Sequence, residues 1–127
     1  MRRHLNPAQV TPPFGRYHQA VALDAPRRLL VISGQLGIRA DGTIPESVEE
    51  QTALILDAIE ACLVEAELTR ADLLRLTTYL TEAEYRLPYM RVRDAWVADP
   101  PPASTLVVVK ALVLPAAKIE IEAIAGA

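Results

Sequence analysis

This sequence is poor in the residues that build metal centres, crosslinks and phosphate loops. It has one cysteine, Cys62, so no intramolecular disulfide can form, and only two histidines, His4 and His18. No HxH, CxxC or HExxH spacing occurs, so neither a zinc or iron site nor any other cofactor is expected. On its helical spacing Cys62 reads as a packed core thiol. Glycine is scarce, with five in the chain. Gly34 and Gly37 lack both a third glycine and a helix directly behind them, so they do not form a phosphate loop. A G-x-S-x-G elbow is also missing, and no Ser–His or Cys–His pair is suggested by position.

Excess positive charge is missing too. Thirteen Lys and Arg face 16 Asp and Glu, a net charge of −3, and the pI is near 5.4. A nucleic-acid binder needs a cationic surface to displace counterions from phosphate, and an anionic membrane makes the same demand. Neither partner is expected. No apolar run approaches the roughly 20 residues that cross a bilayer. The start, MRRHLNPAQ, puts no apolar core behind its two arginines, so no signal peptide is expected and the cytoplasm is the default location.

What is present is a chain of 127 residues, 51% hydrophobic, enough for one domain with one core over residues 1–127. Residues 1–16 carry three prolines and a glycine and read as an irregular leader. HQAVALD (18–24) and RLLVIS (28–33) read as short strands across the turn at Ala25-Pro26. Asp41-Gly42 signals a tight turn. Ser47 and Glu50 form a capping box, and behind it Val48, Ile55, Ile59, Cys62 and Ala66 fall on one face of a five-turn helix.

LRLTTYLT (74–81) alternates as a half-buried strand, with Leu74, Leu76, Thr78 and Leu80 on one side. A second helix follows, carrying Tyr85, Tyr89, Val92 and Trp96. Thr81 and Glu84 offer it a capping box, while Pro88 fits only in a first turn, which allows a later start. The prolines at 100–102 end it, and strands at 105–112 and 118–125 close the chain. The order predicts an α+β fold: a mixed sheet with both helices packed on one face. Leu106–Val109 is apolar on both sides, which predicts that self-association covers the sheet's other face.

Single residues carry little chemistry by themselves. Tyr17 is an isolated aromatic, Ser33-Gly34-Gln35 reads as a strand-to-loop exit, and Glu120 and Glu122 read as a solvated strand face. Taken together, and in order, Gly15-Arg16-Tyr17, ISGQLG (32–37), AST (103–105) and KIEIEAIA (118–125) resemble the RidA/YjgF family. These are the enamine/imine deaminases, whose older labels are translation inhibitor and L-PSP endoribonuclease.

The resemblance implies a chorismate-mutase-like subunit in a homotrimer with a barrel-like core and a small-molecule cleft between subunits. It assigns the cleft tyrosine to Tyr17, the serine and glycine to Ser33 and Gly34, and the water-positioning glutamate to Glu120; Glu122 receives no role. A pocket asparagine of the second helix aligns with Met90. The family's arginine, in P-x-R-S-C/T, falls on Ala103, and its cysteine position falls on Thr105. Arg16 replaces a family proline. Arg16, Arg91 and Lys110 are the cations near enough in sequence to stand in for the lost guanidinium.

The missing arginine has a defined consequence. A guanidinium grips a carboxylate with two charge-assisted hydrogen bonds of roughly 1.5–3 kcal/mol each. Its loss predicts about two to four orders of magnitude weaker 2-iminoacid binding. Three readings follow: a homolog that binds, with or without hydrolysis, a small carbonyl, enamine or imine compound; a deaminase with a surrogate cation; and a non-catalytic binding module. An endoribonuclease would need a cationic track and an acid–base pair, which the pI and the histidines do not provide.

Overall fold

The computed structural model describes all 127 residues. Its strands are β1 (Arg2–Leu5), β2 (Ala20–Leu23), β3 (Leu29–Leu36), β4 (Leu73–Leu80), β5 (Ala103–Val108) and β6 (Ile119–Gly126). The helices are α1 (Val48–Glu65) and α2 (Arg86–Trp96), with short 3₁₀ turns at Arg70–Asp72 and Ala83–Tyr85. The main sheet has the order β3-β6-β4-β5, in which β4 and β5 are parallel and the other neighbours antiparallel. This is the expected mixed α+β sheet, with α1 packed across β3 and β6 and against α2.

Helix α1 forms where its pattern places it. Ser47 is the N-cap and accepts the Glu50 N–H at 3.1 Å, while the Glu50 carboxylate turns away to Arg39, so half of the capping box is made. Ile55, Leu56, Ile59 and Leu63 are fully buried, and Cys62 packs half-buried at the rim of the core. Gln51 is also fully buried. Its amide donates to the Pro45 and Ala116 carbonyls and accepts the Lys118 N–H, which fastens the start of β6 to the helix. A buried amide with all of these partners meets the requirement that polar groups inside be paired.

Four sequence expectations are corrected. The leader is not irregular throughout, because β1 pairs antiparallel with β2. Arg2 reaches over to the Ala71 carbonyl (2.7 Å), Asp72 (3.3 Å) and the Gly126 carbonyl, fixing this ribbon to the end of the main sheet. Burial pushes the Asp72 carboxyl up, but Thr69 and Arg2 outweigh it and hold the group below its usual range. In β4 a register shift between Leu73 and Arg75 makes Leu73, not Leu74, the fully buried residue. The Thr81–Glu84 capping box is not made: the Thr81 hydroxyl donates to the Lys118 carbonyl, and α2 begins at Arg86 with Pro88 in its first turn. Finally, β5 ends at Val108, where its pairing with Leu80 runs out.

One sheet face lies under the helices and the other is open. Arg75, Thr77 and Tyr79 of β4 stand level with Ala103, Thr105 and Val107 of β5 on the open side. Glu122 and Glu120 stand level with Thr77 and Tyr79 from the other side. Leu29, Val31, Val107 and Ile124 are exposed there, Val31 to 71%.

Candidate functional site

Ser33 and Gly34 do not leave the strand. β3 continues to Leu36, and the pairing with β6 slips between Ile32–Ala123 and Gln35–Ile121, so Ser33 and Gly34 together oppose Glu122. This is a β-bulge, a device that bends an edge strand and re-aims what lies beside it. Over the bulge lies Glu120 of β6. A Cβ on Gly34 would meet Glu120 Oε2 at 2.5 Å and its carboxyl carbon at 2.8 Å. Only glycine leaves that space open. Glu120 enters none of the chain's ion pairs, and its half-buried carboxylate faces the open side of the sheet.

Glu122, one pleat along, is engaged: it accepts the Tyr79 hydroxyl in a short hydrogen bond. That bond, then burial, then the charge of Glu122, raise the Tyr79 phenol above its ordinary value. Arg75 donates to the Thr77 hydroxyl at 3.1 Å and the Thr105 hydroxyl at 3.0 Å. Thr105 is therefore occupied by a cation from the neighbouring strand, and Ala103 lies directly beside Arg75 in the register.

Tyr17 and Met90 belong to a different hollow. The segment before β2 is held against β5 by the His18 N–H to the Pro102 carbonyl and by His18 Nδ1 to the Pro101 carbonyl at 2.7 Å. It thereby closes a cavity of about 320 Å³ over α2, walled by Phe14, Tyr17, Tyr89, Met90, Leu106 and Val108 with Ser104, Arg86 and Arg93 among them. The Tyr89 hydroxyl bonds Thr78 at 2.7 Å in the core, and burial above all raises its phenol beyond the ordinary value. Arg16 stands next to this cavity without lining it. Its Nη2 reaches the Ala98 carbonyl at 3.4 Å and its buried Nε has no partner, so it is not a solvated turn residue.

The predicted site residues thus fall into two groups. Ser33, Gly34 and Glu120 gather at the β3 edge, and Ala103 and Thr105 lie on the same open face at the β5 edge. Tyr17 and Met90 line the cavity on the helix side of β5. Arg91 is exposed and pairs loosely with Glu49 at 3.8 Å, and Lys110 is exposed beyond β5. Of the cavity's two charged residues, Arg86 and Arg93, sequence reasoning missed both, and Arg93 is the buried one. Its signal was present, because Arg86, Tyr89, Met90 and Arg93 follow the i, i+3, i+4, i+7 rule of a single helix face.

Fold and site together define a small α+β protein with a largely apolar cavity at one sheet edge and a free carboxylate over a bulge at the other. The family model described as Endoribonuclease L-PSP matches residues 8–127. A RutC family protein of Aquifex aeolicus is 32% identical over 126 residues, 97% of this chain and 98% of that one. The crystal structure of the Rid-family protein YyfB from Yersinia pestis, itself described as of unknown function, superposes with a TM-score of 0.85 at 32% identity over 99% of this chain and 98% of that one. Rv2704 from Mycobacterium tuberculosis, of the YjgF/YER057c/UK114 family, gives 0.71 at 29% identity over 87% and 86%. The chain belongs to the RidA/YjgF (Rid) family and has its fold.

Proposed function

We propose that this protein binds a small carbonyl, enamine or imine metabolite in a cleft between copies of itself and hydrolyses C=N substrates there, without arginine-dependent 2-iminoacid deaminase activity. The observation that carries the reading is Glu120 lying unpaired over Gly34. A carboxylate so placed can take a proton from water as the water oxygen adds to the imine carbon. That proton passes to nitrogen to give a carbinolamine; the carboxylate then moves the hydroxyl proton to the same nitrogen, the C–N bond breaks, and ammonia leaves with a carbonyl product behind.

The arrangement of edges supports a shared cleft. β3, under Glu120, and β5, beside the cavity, are opposite edges of one sheet. Within one copy Glu120 lies on the open face of the sheet, while Tyr17 lines the cavity on the helix side of β5. A head-to-tail contact, β3 edge of one copy against β5 edge of the next, would unite them, and such contacts close into rings. The exposed Leu29, Val31, Val107 and Ile124 favour burial of the open face in that ring. A homotrimer in the cytoplasm is the assembly this reading adopts.

The side chain at 103 sets the substrate. Ala103 offers no charge, and Arg75 beside it is committed to Thr77 and Thr105. Formation of pyruvate from 2-aminoacrylate, coupled to lactate dehydrogenase, is the test. Turnover about a hundredfold or more below that of an arginine-bearing relative is expected. Comparable turnover would favour a deaminase with a surrogate cation, and loss of all C=N hydrolysis in wild type would favour a binding module.

A further inference from the structure

Arg93 is a buried charge with too few partners. Its side chain is 4% exposed, and Nη2 lies 2.9 Å from Asp94 Oδ1. Nε and Nη1 have no hydrogen-bond partner, and the Asp94 oxygen is not aligned for a hydrogen bond either. The Tyr89 ring, 6.0 Å from the guanidinium carbon, offers only a distant π-face. A guanidinium carries five N–H donors in a planar fork matched to a carboxylate. Buried donors left without acceptors are rare in folded proteins and call for an explanation.

The explanation lies in what Arg93 borders. It forms part of the wall of the 320 Å³ cavity, whose other lining is mostly apolar or aromatic, with Ser104 as a neutral polar group and the exposed Arg86 as a second cation. Apolar walls with one or two fixed polar groups are the usual make-up of a small-molecule site of this size. No carboxylate lines this cavity. Arg93 is thus the buried cation of a cavity whose wall supplies no carboxylate of its own.

We propose that Arg93 holds the carboxylate of a small monocarboxylic acid whose apolar body lies against Tyr17, Met90 and Leu106. This rests on the reading of that cavity as the ligand cleft, and it adds a substrate class. The acid grip, absent from β5 at Ala103, is supplied from α2. A ligand anchored there keeps its carboxylate on the helix side of β5, away from Ala103, so its body can be bulkier than that of the smallest imino acids.

Isothermal titration of the intact protein with phenylacetate and with its neutral isostere phenylacetamide tests this, since neither probe requires turnover. Wild type should bind the acid at least about tenfold tighter than the amide, the margin of one charge-assisted bond. Arg93→Met should abolish that preference while still binding the amide, which shows that the cavity persists. Equal binding of acid and amide by wild type overturns the proposal. So does a preference that survives Arg93→Met or is lost only in Arg86→Gln. A change in oligomeric mass in Arg93→Met with the acid preference intact would make Arg93 a contact between copies and overturn it as well. Failure of C=N hydrolysis leaves these binding results untouched, so the two readings fail separately.

Discussion

Glu120 and Gly34 are fitted to each other across two strands: the carboxylate occupies the space where any other residue at 34 would carry its Cβ, 2.5 Å from Oε2. Because the obstructing atoms are the far end of a flexible side chain, Gly34→Ala should displace the carboxylate and leave the fold standing. Melting should change little, by less than about 1 kcal/mol, while C=N hydrolysis falls towards the level of Glu120→Gln. Gly37→Ala is the contrast, since its Cβ would meet the Gln51 backbone at 2.5–2.6 Å. Neither strand nor helix can yield there, and a loss of about 3 kcal/mol or more is expected in urea denaturation. Equal effects of the two substitutions would dissociate Gly34 from Glu120.

The buried pair Thr78–Tyr89 should behave as a coupled unit. Their hydroxyls bond at 2.7 Å with both side chains almost fully buried. Tyr89→Phe leaves the Thr78 hydroxyl without its partner and should cost about 1–3 kcal/mol. Combining Tyr89→Phe with Thr78→Val removes both polar groups and should cost less than the sum of the single changes. A double-mutant cycle on chemical denaturation measures the coupling, and strict additivity would contradict the bond.

Acid should loosen the β1–β2 ribbon first. The His4 and His18 rings lie 4.9 Å apart. Burial first, then the charges of His18 and Arg2, lower the His4 pKa below its ordinary 6.5. The folded state thus binds fewer protons at this site than the unfolded chain. The stability it contributes is complete above about pH 6.5 and is lost as pH falls through the lowered value. Amide exchange across Arg2–Leu5 should speed up in that window, and His4→Gln should flatten the response. An unchanged pH profile in the variant would assign the acid sensitivity to another group.

How much of this was legible depended on whether the signal was local. Helix α1 announced itself because Ser47 caps it and its buried side chains recur at helical period. The bulge at Ser33-Gly34 did not: two small residues ending an apolar run look like an exit, and only the pairing with β6 shows otherwise. β1 was hidden because RRHL has no strand pattern, and its anchor, Arg2, bonds to residues about 70 and more than 120 positions away. Arg93 was passed over because a charge on an amphipathic helix is expected to face water, and burial among Tyr89 and Met90 is a tertiary outcome. Glu120, Tyr17 and the missing arginine at 103 became candidates through the family resemblance, since spacing alone made Glu120 and Glu122 equivalent. The structure separates that pair: Glu122 is tied to Tyr79 and Glu120 is free.

The open face gives the last prediction. Val31, 71% exposed, stands level with Ile124 on the side of the sheet that no helix covers, whereas Leu87, 63% exposed, lies on α2. If copies pack through the sheet, a lysine at 31 must be desolvated in the assembly, a penalty that an unpaired buried charge does not recover. A lysine at 87 would stay in water. Light scattering on wild type should give three times the 13.9 kDa chain mass. Val31→Lys should lower that mass and, with it, C=N hydrolysis, because Glu120 of one copy then loses the cavity of the next. Leu87→Lys should leave both unchanged. A Val31→Lys protein that becomes monomeric yet keeps full activity would place the whole site within one chain.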